Sequence, residues 1–246
     1  MKEIRNVEYF TDNEAQKLDI LLPDGEATSV FLYFHGGGLE SGDKNFADKF
    51  ASYLTDRGIA VVSANYRMLP DYHYPDFLYD SALAVDYTVK YAKENLGLDK
   101  IYVGGSSAGG YISMMLCFDK RYLDSVGLDN SVIAGYLHDA GQPTAHFNLL
   151  KDRGLDSRRV IVDDTAPLYY IGLEKEYPRM RFIVSDNDMN NRYEQTMLTL
   201  ATLSLFGYSN YDHTVMHGTH CEYCFKTSED GQSVFGKMIV DFIKGN

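Results

Sequence analysis

Tryptophan is absent from this 246-residue sequence, cysteine occurs three times and proline only six times. The three cysteines, Cys117, Cys221 and Cys224, form no disulfide framework of the secreted type, so a reducing, cytoplasmic setting is expected. Basic charge is also scarce. Lys and Arg number 23 against 35 Asp and Glu, a formal net charge of -12, and no long basic run occurs. That balance argues against a nucleic-acid partner, because phosphate binding needs clustered Lys and Arg. No window approaches the length of a membrane-spanning helix, so no membrane partner is expected. The first twenty residues, MKEIRNVEYFTDNEAQKLDI, carry charges throughout and hold no apolar signal core. Internal repeats, low-complexity tracts and linkers are missing too. With 45% hydrophobic residues the chain can bury one sizeable core, and a single domain over residues 1–246 is expected. Tyrosine, by contrast, is plentiful at twenty residues, and several are expected to line a pocket.

The stretch IYVGGSSAGGYISMMLCF, Ile101 to Phe118, organises the rest. Ile101-Tyr102-Val103 reads as a short buried strand and Tyr111 to Phe118 as a buried helix. Between them Gly105-Ser106-Ser107-Ala108-Gly109 fits G-x-S-x-G with Ser107 at its centre. A strand turning sharply into a helix strains its central residue, and glycines two places away let the neighbouring backbone approach. The hydroxyl of Ser107 is thereby lifted clear of the sheet at a helix N-terminus, where developing negative charge is favoured. A Gly-rich strand-to-helix turn of a nucleotide-binding fold reads similarly, but G-x-G-x-x-G after the first strand is lacking.

The flanking pattern alternates strands and helices. Residues 4–22 read as two short strands around the turn Thr11-Asp12-Asn13-Glu14, and Ser29 to Phe34 as a strand covered on both faces. Asp43 to Arg57 reads as a helix closed by Gly58, followed by a strand over Ile59 to Ala64. Leu78, Ala82, Val85, Val89 and Ala92 form one stripe of a long helix between Pro75 and Gly97. Further strands are expected at Ser131 to Leu137, Arg181 to Ser185 and His213 to Met216. A short helix is expected near Ala166-Pro167. Longer ones are expected over Tyr193 to Phe206, with Met197, Leu200, Ala201 and Leu205 inward, and over Val234 to Ile243. The order implies a mostly parallel central sheet with helices on both faces and a minimal cap. Residues 138–164 read as a polar insertion.

Serine nucleophilic catalysis needs a base, a group that orients it, and donors for the oxyanion. In an open parallel sheet these sit on loops at the carboxyl ends of strands. His35-Gly36-Gly37-Gly38 follows the Ser29–Phe34 strand, and Gly37 and Gly38 can aim bare N–H groups into a site, with the Ala108 N–H as the third donor. Asp186 and Asp188 follow the Arg181–Ser185 strand. His217 and His220 follow the last strand. The order Ser, Asp, His is that of this type of site.

These segments resemble an α/β-hydrolase of the hormone-sensitive-lipase-like carboxylesterase branch, close to small bacterial acetyl- and feruloyl-esterase-like proteins. The matching pieces are HGGG at 35–38, YRMLP at 66–70, YPDFLYD at 74–80, GGSSAGG at 104–110, TAPLYYI at 165–171, SDNDM at 185–189 and GTHCEY at 218–223. The resemblance implies Ser107 as nucleophile, Asp188 as the acid and His220 as the base, although many relatives carry Asp-Pro where this chain has Asp188-Met189. It implies hydrolysis of short acyl esters, acetyl above all, with carbohydrate esters among the candidates. The same residues suit an arylformamidase, another amidase or a peptidase, and a catalytically silent binding protein is the remaining alternative. No cofactor and no metal are implied. A zinc reading of His217, His220, Cys221 and Cys224 rests on one C-x-x-C, and the cysteines are expected on a helix as small buried hydrophobes. Arg67 and Asp80 are expected to pair, and activity is expected to rise through roughly pH 6 to 7 as His220 loses its proton.

Overall fold

A computed structural model describes residues 1–245. Strands β1 (Lys2–Glu8), β2 (Lys17–Leu22) and β3 (Ser29–Phe34) lead into helix α1 (Asp48–Thr55) and strand β4 (Ile59–Ala64). Helix α2 (Asp76–Tyr91), strand β5 (Ile101–Ser106), helix α3 (Ala108–Phe118) and the single turn α4 (Arg121–Asp124) follow. Then come β6 (Ile133–Asp139), α5 (Phe147–Asp152), β7 (Arg179–Ser185), α6 (Arg192–Leu205), β8 (Tyr211–Met216) and α7 (Val234–Lys244). This is an α/β-hydrolase fold. The sheet order is β1-β2-β4-β3-β5-β6-β7-β8. β1 and β2 join it antiparallel, and every pairing from β4 to β8 is parallel.

β3 and β4 are buried at every residue, as strands with helices on both sides must be. Their alternation divides the core. Val30, Leu32 and Phe34 pack toward α2, α3 and α6, whereas Phe31 and Tyr33 pack toward α1 and α7. α3 runs buried along its full length, which explains why its sequence shows no polar face.

Several expectations shift here. The α6 stripe is rotated: Thr196, Thr199, Leu200 and Leu203 face inward, and Leu205 is 83% exposed. Threonine covers part of this helix face because each hydroxyl returns to a carbonyl one turn back, Thr196 to Arg192 and Thr199 to Gln195. The polar insertion is shorter than its composition suggests, since His138 and Asp139 complete β6 and are buried, as is His146. Burial pushes the imidazoles of His138 and His146 down to about 3, so both pack as neutral rings. Tyr66, Tyr111, Tyr122 and Tyr136 fill the core, while Tyr33, itself buried, borders a pocket beside Ser107. Arg67 and Asp80 do pair, at 2.8 Å, and the Gln16 amide donates to the same carboxylate.

Candidate active site

Ser107 stands between β5 and α3 with φ 56° and ψ -112°, a conformation that L-residues rarely adopt. The turn is tight enough that a Cβ on Gly109 would lie 1.9 Å from the Phe34 carbonyl oxygen, and one on Gly105 2.5 Å from Gly109. Only hydrogen fits at either place. The Ser107 N–H donates to the Asp139 carbonyl at 2.8 Å, tying the turn to the end of β6.

The Ser107 hydroxyl lies 2.8 Å from His220 Nε2, and His220 Nδ1 lies 2.5 Å from Asp188 Oδ1. The Asp188 side chain is fully buried and accepts the backbone N–H groups of Met189 and Ser185. Burial alone would raise its pKa, but the His220 hydrogen bond and those two N–H groups hold it below the usual carboxylate range. Asp186 and His217 form a second pair on the same loops, with the His217 side chain 99% exposed and absent from the lining of the cavity at Ser107. The adjacent Ser106 also points elsewhere, its hydroxyl 3.9 Å from Cys224 Sγ.

Gly37 (φ 117°) and Gly38 (φ 67°) shape the loop after β3. Their carbonyls are engaged from behind, Gly37 by the Ser41 N–H and hydroxyl and Gly38 by the Asn148 amide at 2.7 Å. Gly37, Gly38 and Ser107 line one cavity, beside the helix N-terminus that begins at Ala108. His35 borders this cavity as well. It is buried, stacked on Tyr66 at 4.5 Å, and burial lowers its pKa.

Residues 31–155, just over half the chain, match the alpha/beta hydrolase fold family. The chain belongs to that family. Esterase LipI of Mycobacterium tuberculosis is 32% identical over 156 residues, covering 60% of this chain and 43% of that protein. Ethyl acetate hydrolase of Pseudomonas putida is 33% identical over 93 residues, 37% of this chain and 29% of that protein. The chain thus spans less than half the length of these curated relatives. A truncated carbohydrate esterase from gut microbiota superposes with TM-score 0.81 at 21% identity, over 100% of this chain and 96% of its own. At that identity the likeness speaks to the fold.

In this α/β-hydrolase the cavity at Ser107 has a volume of about 440 Å³. Phe46, Phe147, Met189 and Phe225 supply its apolar walls, and Cys221 lines it beside His220. Sequence reasoning missed these walls and Asn148, because no motif marks a residue that acts from a different loop. Cys221 sits in a left-handed conformation (φ 52°) at the head of a short turn over Glu222–Phe225, not within a longer helix. Its Sγ is 3.7 Å from His220 Nε2. Burial disfavours the imidazolium, but the Asp188 carboxylate and then the Cys221 sulfur outweigh it, lifting His220 to about 10. The Cys221 thiol moves the other way, downward, chiefly through a hydrogen bond with Cys224.

Proposed function

We propose that the chain is a serine carboxylesterase acting on short-chain acyl esters, acetyl-type and including carbohydrate esters, through an acyl-enzyme. The observation that carries this reading is the continuous hydrogen-bonded line from Asp188 through His220 to the strained Ser107. His220 Nε2 takes the Ser107 proton as the oxygen attacks the ester carbonyl, and the buried Asp188 carboxylate steadies the imidazolium that forms. The N–H groups of Gly37, Gly38 and Ala108 receive the oxyanion, each such donor contributing on the order of 3 kcal/mol to the transition state. The proton on His220 then passes to the departing alcohol. Water, deprotonated by the same nitrogen, releases the acid and frees Ser107.

The relatives called esterase and ethyl acetate hydrolase support this class, and the neighbour called a carbohydrate esterase supports the sugar-ester extension. The partner is thus a small ester. We read residues 1–246 as one domain, since a single eight-stranded sheet runs from Lys2 to Met216. No helix among the described residues is long and apolar enough to cross a membrane, and the three free cysteines fit a reducing cytoplasm.

Hydrolysis of p-nitrophenyl acetate by Ser107→Ala and Ser106→Ala tests the reading. Ser107→Ala should lose activity and labelling by a fluorophosphonate, while Ser106→Ala keeps a good part of both. The opposite ranking removes Ser107 from the chemistry.

A further inference from the structure

Beneath the His220 loop lie three buried groups that take no part in the proposed reaction. Asp139 ends β6 and is fully buried, and Cys221 and Cys224 are 7% and 2% exposed. One carboxylate oxygen and the two sulfurs lie within 4.8 Å of one another. Cys224 Sγ is 3.4 Å from Asp139 Oδ2, and Cys221 Sγ is 3.7 Å from His220 Nε2. In a tetrahedral zinc centre, bonds of roughly 2.3 Å to sulfur and 2.0 Å to oxygen or nitrogen separate neighbouring ligand atoms by about 3.5 Å. Both measured separations are already close to that edge. The Asp139 carboxylate receives the Tyr223 hydroxyl and the Cys224 thiol, and among the described residues no Lys or Arg pairs with it. Burial pushes the Asp139 carboxyl up toward its neutral form, and a bound cation would supply the countercharge that lets it ionise. Cys221 also lines the Ser107 cavity, which gives an ion a way in.

We propose that Asp139, Cys221 and Cys224 form a binding site for a thiophilic divalent cation of the zinc group, and that its occupation switches the hydrolase off. The inhibitory half rests on the esterase reading; the binding half stands apart from it. Binding exchanges the two thiol protons, and the carboxyl proton that burial favours on Asp139, for two metal–sulfur bonds and one metal–oxygen bond, the displaced protons passing to solvent. Two sulfurs and one oxygen favour zinc or cadmium over magnesium or calcium. A cation held there sets positive charge beside His220, whose Nε2 lies 3.7 Å from Cys221 Sγ. That charge disfavours the imidazolium that must form when the Ser107 proton is taken, so occupation opposes catalysis.

Cadmium titration of the full chain, read by sulfur-to-cadmium charge-transfer absorbance, tests binding without reference to activity. One equivalent should saturate the band, and Cys224→Ser should weaken binding at least about tenfold. In parallel, zinc should inhibit p-nitrophenyl acetate hydrolysis reversibly by EDTA, magnesium should not, and Cys224→Ser should keep basal activity while shifting the zinc inhibition curve by a similar factor. Cys224→Ala replaces it if serine disturbs the fold. A missing charge-transfer band with both thiols still reactive overturns the site. A normal band with an unshifted zinc inhibition curve in the variant overturns the switch. An inactive wild-type chain that still shows the band counts against the esterase reading alone.

Discussion

Asp186 and Asp188 leave the same strand, and His217 and His220 leave the next, so residue type alone does not separate the two pairs. Solvent does. The His217 side chain is 99% exposed, whereas the Asp188 carboxylate is wholly buried beneath His220. A buried carboxylate holds its partner's orientation and charge far better than one screened by water. Asp188→Asn should therefore cut kcat about 10⁴-fold by favouring the wrong imidazole tautomer, and Asp186→Asn by less than about threefold. The pH profile follows from the same pair. Only neutral His220 can accept the Ser107 proton, and a pKa raised to about 10 leaves less of that form at neutral pH. Activity should thus rise on the alkaline side, well above the pH 6 to 7 expected for an ordinary histidine. In Asp188→Asn the remaining activity should begin to rise at lower pH, because the main upward influence is gone. A rising limb centred near 6.5 in the wild type would rule out this electrostatic account. The G-x-S-x-G turn and the family-like loops made Ser107 and His220 legible in the sequence. The Cys221 contact was not, since nothing in a C-x-x-C pattern says which way a sulfur turns.

Strands that are apolar throughout announce themselves, and β3 and β4 begin and end where their sequences suggest. α6 does not, because its inner face is partly threonine and its most apolar terminal residue, Leu205, points into water. A periodicity count that rewards only hydrocarbon side chains misplaces such a face. The same blindness hid α5, a short helix whose N-cap, His146, accepts the Asn148 N–H at 3.3 Å. That helix holds the site from outside. Its Asn148 amide donates to the Gly38 carbonyl at 2.7 Å, tying the loop after β3 to this helix. If the loop serves the oxyanion as proposed, Asn148→Ala should cost about 1 kcal/mol, roughly fivefold in kcat with KM little changed. An equal rise in KM with constant kcat would assign Asn148 to substrate binding instead.

On the scale of the whole molecule, what limits the substrate is the space that the fold leaves over Ser107. Among the described residues the segment before β3 holds only the strands β1 and β2, so no helix from it covers the cavity. Residues 140–164 border the cavity through Phe147. The exposed side chains of this segment include Lys151, Asp152, Arg153, Arg158 and Arg159 beside Val160 and Val162, so charge predominates, which suits a hydrated alcohol better than a lipid interface. The cavity of about 440 Å³ is small for a site that must hold both the acyl group and the alcohol, lying low in the usual range for ligand sites. Phe46, Phe147, Met189 and Phe225 make its walls apolar, so the first few methylenes of an acyl chain gain about 0.8 kcal/mol each. Beyond them the chain meets the wall or returns to water, and each added carbon brings ordering cost without burial. Across p-nitrophenyl acetate, butyrate, octanoate and palmitate, kcat/KM should therefore peak at acetate or butyrate and fall at octanoate. A maximum at octanoate or longer would mean that the phenylalanine walls part to admit a channel, and the preference for hydrated, sugar-like alcohols would fall with it.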